Sequence, residues 1–148
     1  MRPPVNLVLQ EAKQTMLAEI LPALASTHGQ GTAYVLGVLM AYSAIEYERG
    51  AEVRVADIRE LRSIFLDAAG RVADSALAAA LRDAAQIREA SLQISELDRV
   101  LDLLKARFIE LHAHVERNTC DWAPAFERRL LDFLAVSLER RALPNPAA

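Results

Sequence analysis

Residues 94–115 read ISELDRVLDLLKARFIELHAHV, and apolar side chains recur in this stretch every three or four positions. The recurring positions are Ile94, Leu97, Leu101, Leu104, Phe108, Leu111 and Val115. This spacing is typical of a helix that packs lengthwise against other helices. Val100, Leu103 and Ile109 widen the apolar stripe, which favours the core of a globular bundle over a two-stranded coiled coil. We therefore predict an all-α fold organised around this seam helix.

Five further helices are predicted around the seam helix from apolar spacing and from residues that begin or end helices. Their approximate ranges are 4–22, 30–49, 57–69, 74–90 and 121–141, which makes the seam helix the fifth of six. Gly50 is expected to end the second helix. Asp57 with Glu60 resembles a capping box at the start of the third. A break is expected between Ala90 and Ser95, because an unbroken helix would be about 66 Å long; a continuous rod is the alternative.

The predicted architecture is a single domain over residues 1–148, with five or six mostly antiparallel helices and a frayed tail at 142–148. Helices 2 and 5 are expected to be central. Helix 2 is apolar nearly all round from Ala33 to Ile45, as in a helix buried on every side. A chain of 148 residues is long enough for one such core.

The composition excludes several classes of protein. A formal net charge of −3 gives no basic footprint for nucleic acid. The run Ala33 to Ile45 falls short of the roughly 20 residues that a membrane span needs. Cys120 is the single cysteine, which excludes an intrachain disulfide and fits a reducing compartment. No apolar signal region follows Met1, so we expect a soluble cytoplasmic protein without a cofactor.

No motif in the sequence predicts catalysis or a bound metal. His112 and His114 are two residues apart on a helix, so they point about 200° apart and cannot share one ion. A catalytic cysteine needs a base beside it, and the sequence identifies no such base for Cys120. A helix-turn-helix over 57–83 would present mostly alanines to DNA. Three glycines at 29, 31 and 37 follow no strand, so they do not form a phosphate-binding loop.

Two sets of residues are candidates for contacts with a ligand or a partner. The first is Tyr34, Tyr42 and Glu46, near one face of helix 2, with Trp122 at the corner between helices 5 and 6. Alternatively, the tyrosine rings are buried with their hydroxyl groups in water, and Trp122 is an anchor that packs at the helix corner. The second set is a candidate interface between chains: Gly37, Ala41, Leu103 and Ile109. The two small residues allow close approach of a neighbouring backbone.

The segments Glu19-Ile20-Leu21-Pro22-Ala23-Leu24 and Ala41-Tyr42-Ser43-Ala44-Ile45-Glu46-Tyr47-Glu48-Arg49-Gly50 resemble a family of small helical bacterial proteins of unknown function. Members of that family are often encoded beside aminoglycoside-phosphotransferase-like kinases and acyl-CoA dehydrogenases. The resemblance covers about the first third of the chain. It implies an accessory role near acyl-CoA or related catabolic enzymes, and it brings no catalytic residue.

Three hypotheses of function follow. The first is a non-catalytic helical interaction module that binds a second copy of itself or another cytoplasmic protein. The second is a bundle that holds an acyl or other apolar ligand between helices 2, 5 and 6. The third is an enzyme that uses Tyr34, Tyr42, Glu46 or His112. The broad apolar stripes and the absence of a converging polar motif favour the first.

Overall fold

A computed structural model describes residues 3–143, most of which are helical. The helices are α1 (Val5–Thr15), α2 (Leu21–Ala23), α3 (Thr27–Ala69), α4 (Ser75–Gln86), α5 (Ile94–Glu116) and α6 (Ala123–Arg141), with a π-helical turn (Met16–Ile20) between α1 and α2. Residues 3–143 contain no strand. The prediction of an all-α helical bundle is confirmed.

The described chain divides into two compact units, with the boundary along the sequence after Gly50. We call residues 3–50, together with Leu143, the N-terminal unit, and Ala51–Ala142 the bundle unit. Helix α3 begins in the first unit and ends in the second. The single domain expected from the sequence stays a prediction. Of the expected tail, residues 144–148 lie outside the described residues, and α6 ends just before Ala142.

Helix α3 is one helix of 43 residues where the sequence predicted two. Gly50 was expected to end the first of them. A glycine ends a helix by adopting a positive φ, and no described glycine has one. Val53 is buried just after it and Ala51 packs against the core. This packing offsets the roughly 0.5–1 kcal/mol that an interior glycine costs relative to alanine.

The core of the bundle unit forms around α5. All of the seam positions after Ile94 are buried, as predicted: Leu97, Leu101, Leu104, Phe108, Leu111 and Val115. The neighbouring helices supply fully buried partners, which are Leu61 and Phe65 of α3, Leu81 of α4 and Leu130 of α6. The seam helix is therefore central to this unit.

The stretch predicted as helix 2 does not fill the core, in contrast to the expectation. Its larger apolar residues Val35 and Leu39 are exposed, while small residues such as Ala33 and Gly37 occupy its buried positions. The π-helical turn supplies the neighbour, since a Cβ atom built on Gly37 would lie 2.6 Å from Cδ2 of Leu17. An apolar helix buries only the face that a neighbour covers, and here the covered face is the one that carries the small residues.

Helix boundaries in the rest of the chain follow local chemistry. The start of α4 agrees with the predicted range, and Asp74 caps it, because its Oδ1 accepts hydrogen bonds from the backbone of Ala76 at 2.9 Å and Leu77 at 3.1 Å. The expected break before α5 is present over residues 87–93. Pro22 lies in the last turn of the first helical segment, which ends one residue later at Ala23. The π-helical turn precedes it, and the N–H of Leu21 bonds to the carbonyl oxygen five residues earlier.

Candidate functional site

An apolar cavity of about 260 Å³ lies in the bundle unit between α5, α6 and the second half of α3. Its lining residues are Asp57, Leu61, Leu101, Lys105, Phe108, Ile109, Phe133, Leu134 and Ser137. The rings of Phe108 and Phe133 form one wall, with their centroids 5.4 Å apart. A hollow lined almost entirely by carbon atoms accepts an apolar group, and the exposed residue Lys105 is among its lining residues.

Asp57 lies at one side of this cavity and is only 1% exposed. Its Oδ2 accepts hydrogen bonds from Ser137 Oγ at 2.7 Å and from Arg141 Nη2 at 2.6 Å. Its Oδ1 accepts one from Arg140 Nη1 at 2.9 Å. A buried carboxylate is stable only with such partners. The cluster therefore fastens the last turns of α6 to the middle of α3.

Arg140 extends this cluster to a second carboxylate. Its Nη2 donates a hydrogen bond to Glu60 Oε2 at 2.8 Å. The hydrogen bonds to Asp57 and then to Glu60 raise the pKa of the Arg140 guanidinium. Because both oxygens of Asp57 are engaged by protein donors, the carboxylate serves as an anchor and is poorly placed to accept a substrate proton. Asp57 was expected to cap a helix; it lies inside α3 instead.

The N-terminal unit exposes many of its large apolar side chains, each between 38% and 59% exposed. They are Val5, Leu7, Val8, Ile20, Tyr34, Val35, Leu36, Leu39 and Tyr47. We call Val35, Leu36 and Leu39 the α3 patch, because Leu39 lies four residues after Val35 and three after Leu36, and residues three and four apart share a helix face. The first two border a shallow groove with His28, Gly31 and Thr32.

The candidate contact residues fall into both units. Tyr34 and Glu46 are exposed and Tyr42 is half-buried, all in the first half of α3. Trp122 is half-buried in the bundle unit and packs against its core. Its ring meets that of Phe126 edge-on, with centroids 5.7 Å apart. This contact fits the packing-anchor interpretation of Trp122.

The candidate interface residues differ in accessibility. Leu103 and Ile109 are exposed on α5, as an interface would require, and Ile109 also lines the cavity. Ala41 is half-buried. Gly37 is buried against Leu17 of the same chain, so its close approach is made within the unit and is not open to a second chain.

Sequence reasoning missed a group of possible metal ligands around His112. Its Nε2 lies 3.6 Å from Oε1 of Glu116, one helical turn later. Glu127 of α6 brings a carboxylate oxygen, and one ligand atom from each of the three side chains lies within 4.8 Å of the others. The sequence signal was present, since a histidine four residues before a glutamate places both on one helix face.

Comparisons with known proteins add no assignment, because no family model, curated protein or solved structure matches the chain. The resemblance of the first third of the chain therefore stays a prediction. None of the helices formed by residues 3–143 combines the length and apolar character that crossing a bilayer requires.

Proposed function

We propose that the protein is a non-catalytic helical interaction module that dimerises through its N-terminal unit. The observation that carries this proposal is the unequal distribution of buried side chains. Every residue of the main hydrophobic cluster lies between Ile58 and Phe133, in the bundle unit. Helix α1, by contrast, contains no buried residue, and neither does the π-helical turn or α2.

Packing, rather than intrinsic propensity, stabilises most helices in proteins. A free helix of fewer than about 12–15 residues is marginal in water, and α1 has 11 residues. Burying an exposed leucine or valine completely stabilises by about 1.5–3 kcal/mol, so each half-exposed residue of the α3 patch offers roughly half of that. Covering the exposed apolar residues of the N-terminal unit would supply the stability that its own interior lacks.

A second copy of this chain is the partner that the charge pattern favours. A two-fold interface brings the same surface of each copy together, and like charges facing each other would oppose that contact. The segment 29–45, which contains the α3 patch, has no charged residue. Two such segments can therefore meet without repulsion. In line with the resemblance, we propose a cytoplasmic dimer that is accessory to acyl-CoA or related catabolic enzymes.

Light scattering coupled to size-exclusion chromatography tests the dimer at micromolar concentrations of the full chain. We expect the mass of a dimer for the native protein and a shift toward monomer for Leu39→Glu, which places a charge in the α3 patch. Leu138→Glu is the matched control, because Leu138 is 72% exposed on α6 of the bundle unit. A monomer at every concentration, or equal effects of the two variants, would contradict the proposal.

A second candidate function, favoured by the cavity in the bundle unit, is the binding of a small apolar ligand. The cavity is lined by leucine, isoleucine and phenylalanine side chains, with Lys105 able to pair with an anionic head group. A short-chain or medium-chain carboxylate matches this combination. It would lay its chain between α5 and α6 and its carboxylate toward the lysine.

Isothermal titration calorimetry with octanoate tests this second candidate. We expect saturable binding to the native chain and its loss in Ile109→Trp, because a larger side chain at the exposed edge of the cavity fills it. Leu131→Trp is the control, since Leu131 is similarly exposed on α6 and is not among the lining residues. Absence of saturable heat with the native chain, or loss of binding in both variants, would reject an occupied cavity.

A further inference from the structure

We propose that His112, Glu116 and Glu127 form a binding site for a divalent transition-metal ion such as Zn²⁺. The site lies where α5 ends and α6 begins, and it is independent of the dimer proposed above. Two of its ligands come from one face of α5 and the third from α6. A bound ion would therefore link these two helices at the corner that connects them.

The separations between the donor atoms fit a metal site. In a tetrahedral zinc site, nitrogen and oxygen donors about 2.1 Å from the ion lie roughly 3.4 Å from one another. His112 Nε2 and Glu116 Oε1 are already 3.6 Å apart. The ligand atoms of the whole group lie within 4.8 Å of one another. Closing the group around an ion therefore requires its widest pair of donor atoms to approach by at most about 1.4 Å.

His112 also has a polar atom that the protein leaves unsatisfied. Its Nε2 is buried from solvent and has no hydrogen-bond partner. Buried polar atoms nearly always have a partner, and an ion is one explanation of an exception. The neutral imidazole nitrogen carries the lone pair that a metal needs. The 3.6 Å separation from Glu116 is too long for a hydrogen bond but suits two ligands of one ion.

The donor set selects the class of ion. Imidazole nitrogen suits zinc, copper, nickel and iron, whereas Mg²⁺ and Ca²⁺ prefer sites made of oxygen donors. Two carboxylates balance the charge of a dication. Three protein ligands leave a tetrahedral ion one open position, and Glu116 is exposed, so water can reach the ion there.

The test is isothermal titration calorimetry of the full chain, without a histidine tag and after treatment with a chelator, using ZnCl₂ and then MgCl₂. We expect one Zn²⁺ per chain and no comparable binding of Mg²⁺. Glu127→Gln keeps the size of the side chain and removes one anionic ligand, so the Zn²⁺ dissociation constant should rise at least about tenfold. His112→Gln should have at least as large an effect.

His114→Gln is the matched control. The Nε2 of His114 is also buried without a hydrogen-bond partner, yet His114 belongs to no group of three possible ligands among residues 3–143. Its replacement should leave Zn²⁺ affinity unchanged. Circular dichroism at 222 nm verifies that each variant keeps its helices. Visible absorption bands of tetrahedral Co²⁺, present in the native chain and lost in Glu127→Gln, give a second readout.

Two results would overturn the metal site. One is the absence of saturable Zn²⁺ binding by the native chain. The other is an affinity that is insensitive to Glu127→Gln or that falls equally in His114→Gln, since either pattern would mean scattered binding to surface histidines. The dimer proposal is tested by Leu39→Glu, which lies outside the metal ligands, so the two proposals can fail separately.

Discussion

Replacing Asp57 with alanine should destabilise the bundle unit by about 2–3 kcal/mol. The carboxylate is 1% exposed and accepts three hydrogen bonds, two of them from guanidinium groups. Removing one member of a buried ion pair typically costs about 3–5 kcal/mol. Here the side chains of Arg140 and Arg141 keep 30% and 35% exposure. They regain hydration when the carboxylate is gone, which moves the expected loss to the bottom of that range or slightly below it.

Urea denaturation followed by tryptophan fluorescence measures this loss. Trp122 is the single tryptophan of the chain and packs against the core of the bundle unit, so its signal reports on that unit. All variants are compared at one protein concentration, so that any self-association enters each comparison equally. The midpoint should fall without a large change in slope, as expected when stability changes and the exposed area does not.

Asp67→Ala is the matched control for this experiment. Asp67 also pairs with two arginines, Arg71 and Arg129, but its side chain is 33% exposed and theirs are 46% and 40% exposed. Exposed ion pairs contribute at most about 1 kcal/mol. If Asp57→Ala costs no more than Asp67→Ala, the argument that burial makes the first cluster an anchor is refuted.

Three further predictions concern stability. Leu104→Ala should lower the free energy of unfolding, measured by urea denaturation, by about 3–5 kcal/mol, because it opens a cavity beside α5. Leu103→Ala, on the exposed side of α5, should lower it by under about 1 kcal/mol. Gly31→Ala should raise the melting temperature measured by circular dichroism, since a Cβ there meets nothing within 4 Å, while Gly37→Ala should fail to do so because its Cβ would meet a leucine at 2.6 Å. A hydrogen bond from the Arg99 side chain lowers the pKa of Glu96 from 4.5 to about 2. The stability that the ionised Glu96 contributes is therefore complete above about pH 4.5 and is lost as the pH falls through about 2, and Glu96→Gln should remove this component of acid unfolding.

Local pattern predicted the bundle unit better than the N-terminal unit. The alternation of apolar residues around Leu104 identified the central helix, because this signal acts over one or two turns. The fourth helix was expected to begin near residue 74, and α4 begins at Ser75. Gly50 misled the prediction, since glycine permits a helix to end but does not require it. Residues 33–45 are apolar nearly all round the helix, which indicated burial on every side. The sequence could not say which side a neighbour covers.

The candidate sites were harder to predict for a similar reason. Asp57 has a sequence neighbourhood typical of a helix cap, yet its partners Arg140 and Arg141 lie more than 80 residues later, and only the tertiary fold brings them together. The same holds for Glu127, which joins the group around His112 from another helix. The pair formed by His112 and Glu116 was readable, because it needs only the spacing of one helical turn.

The π-helical turn at Met16–Ile20 changes what a one-residue deletion would do to the first helix. An α-helix advances about 100° per residue, and a π-helical turn accommodates one additional residue within a turn. Because the turn absorbs that residue, a deletion there would restore regular winding and leave Leu7 and Val8 near their present angle about the helix axis. A deletion in the regular winding of α1 would instead rotate the residues before it by about 100°, so a change of one residue in chain length should be tolerated better at this turn than within α1.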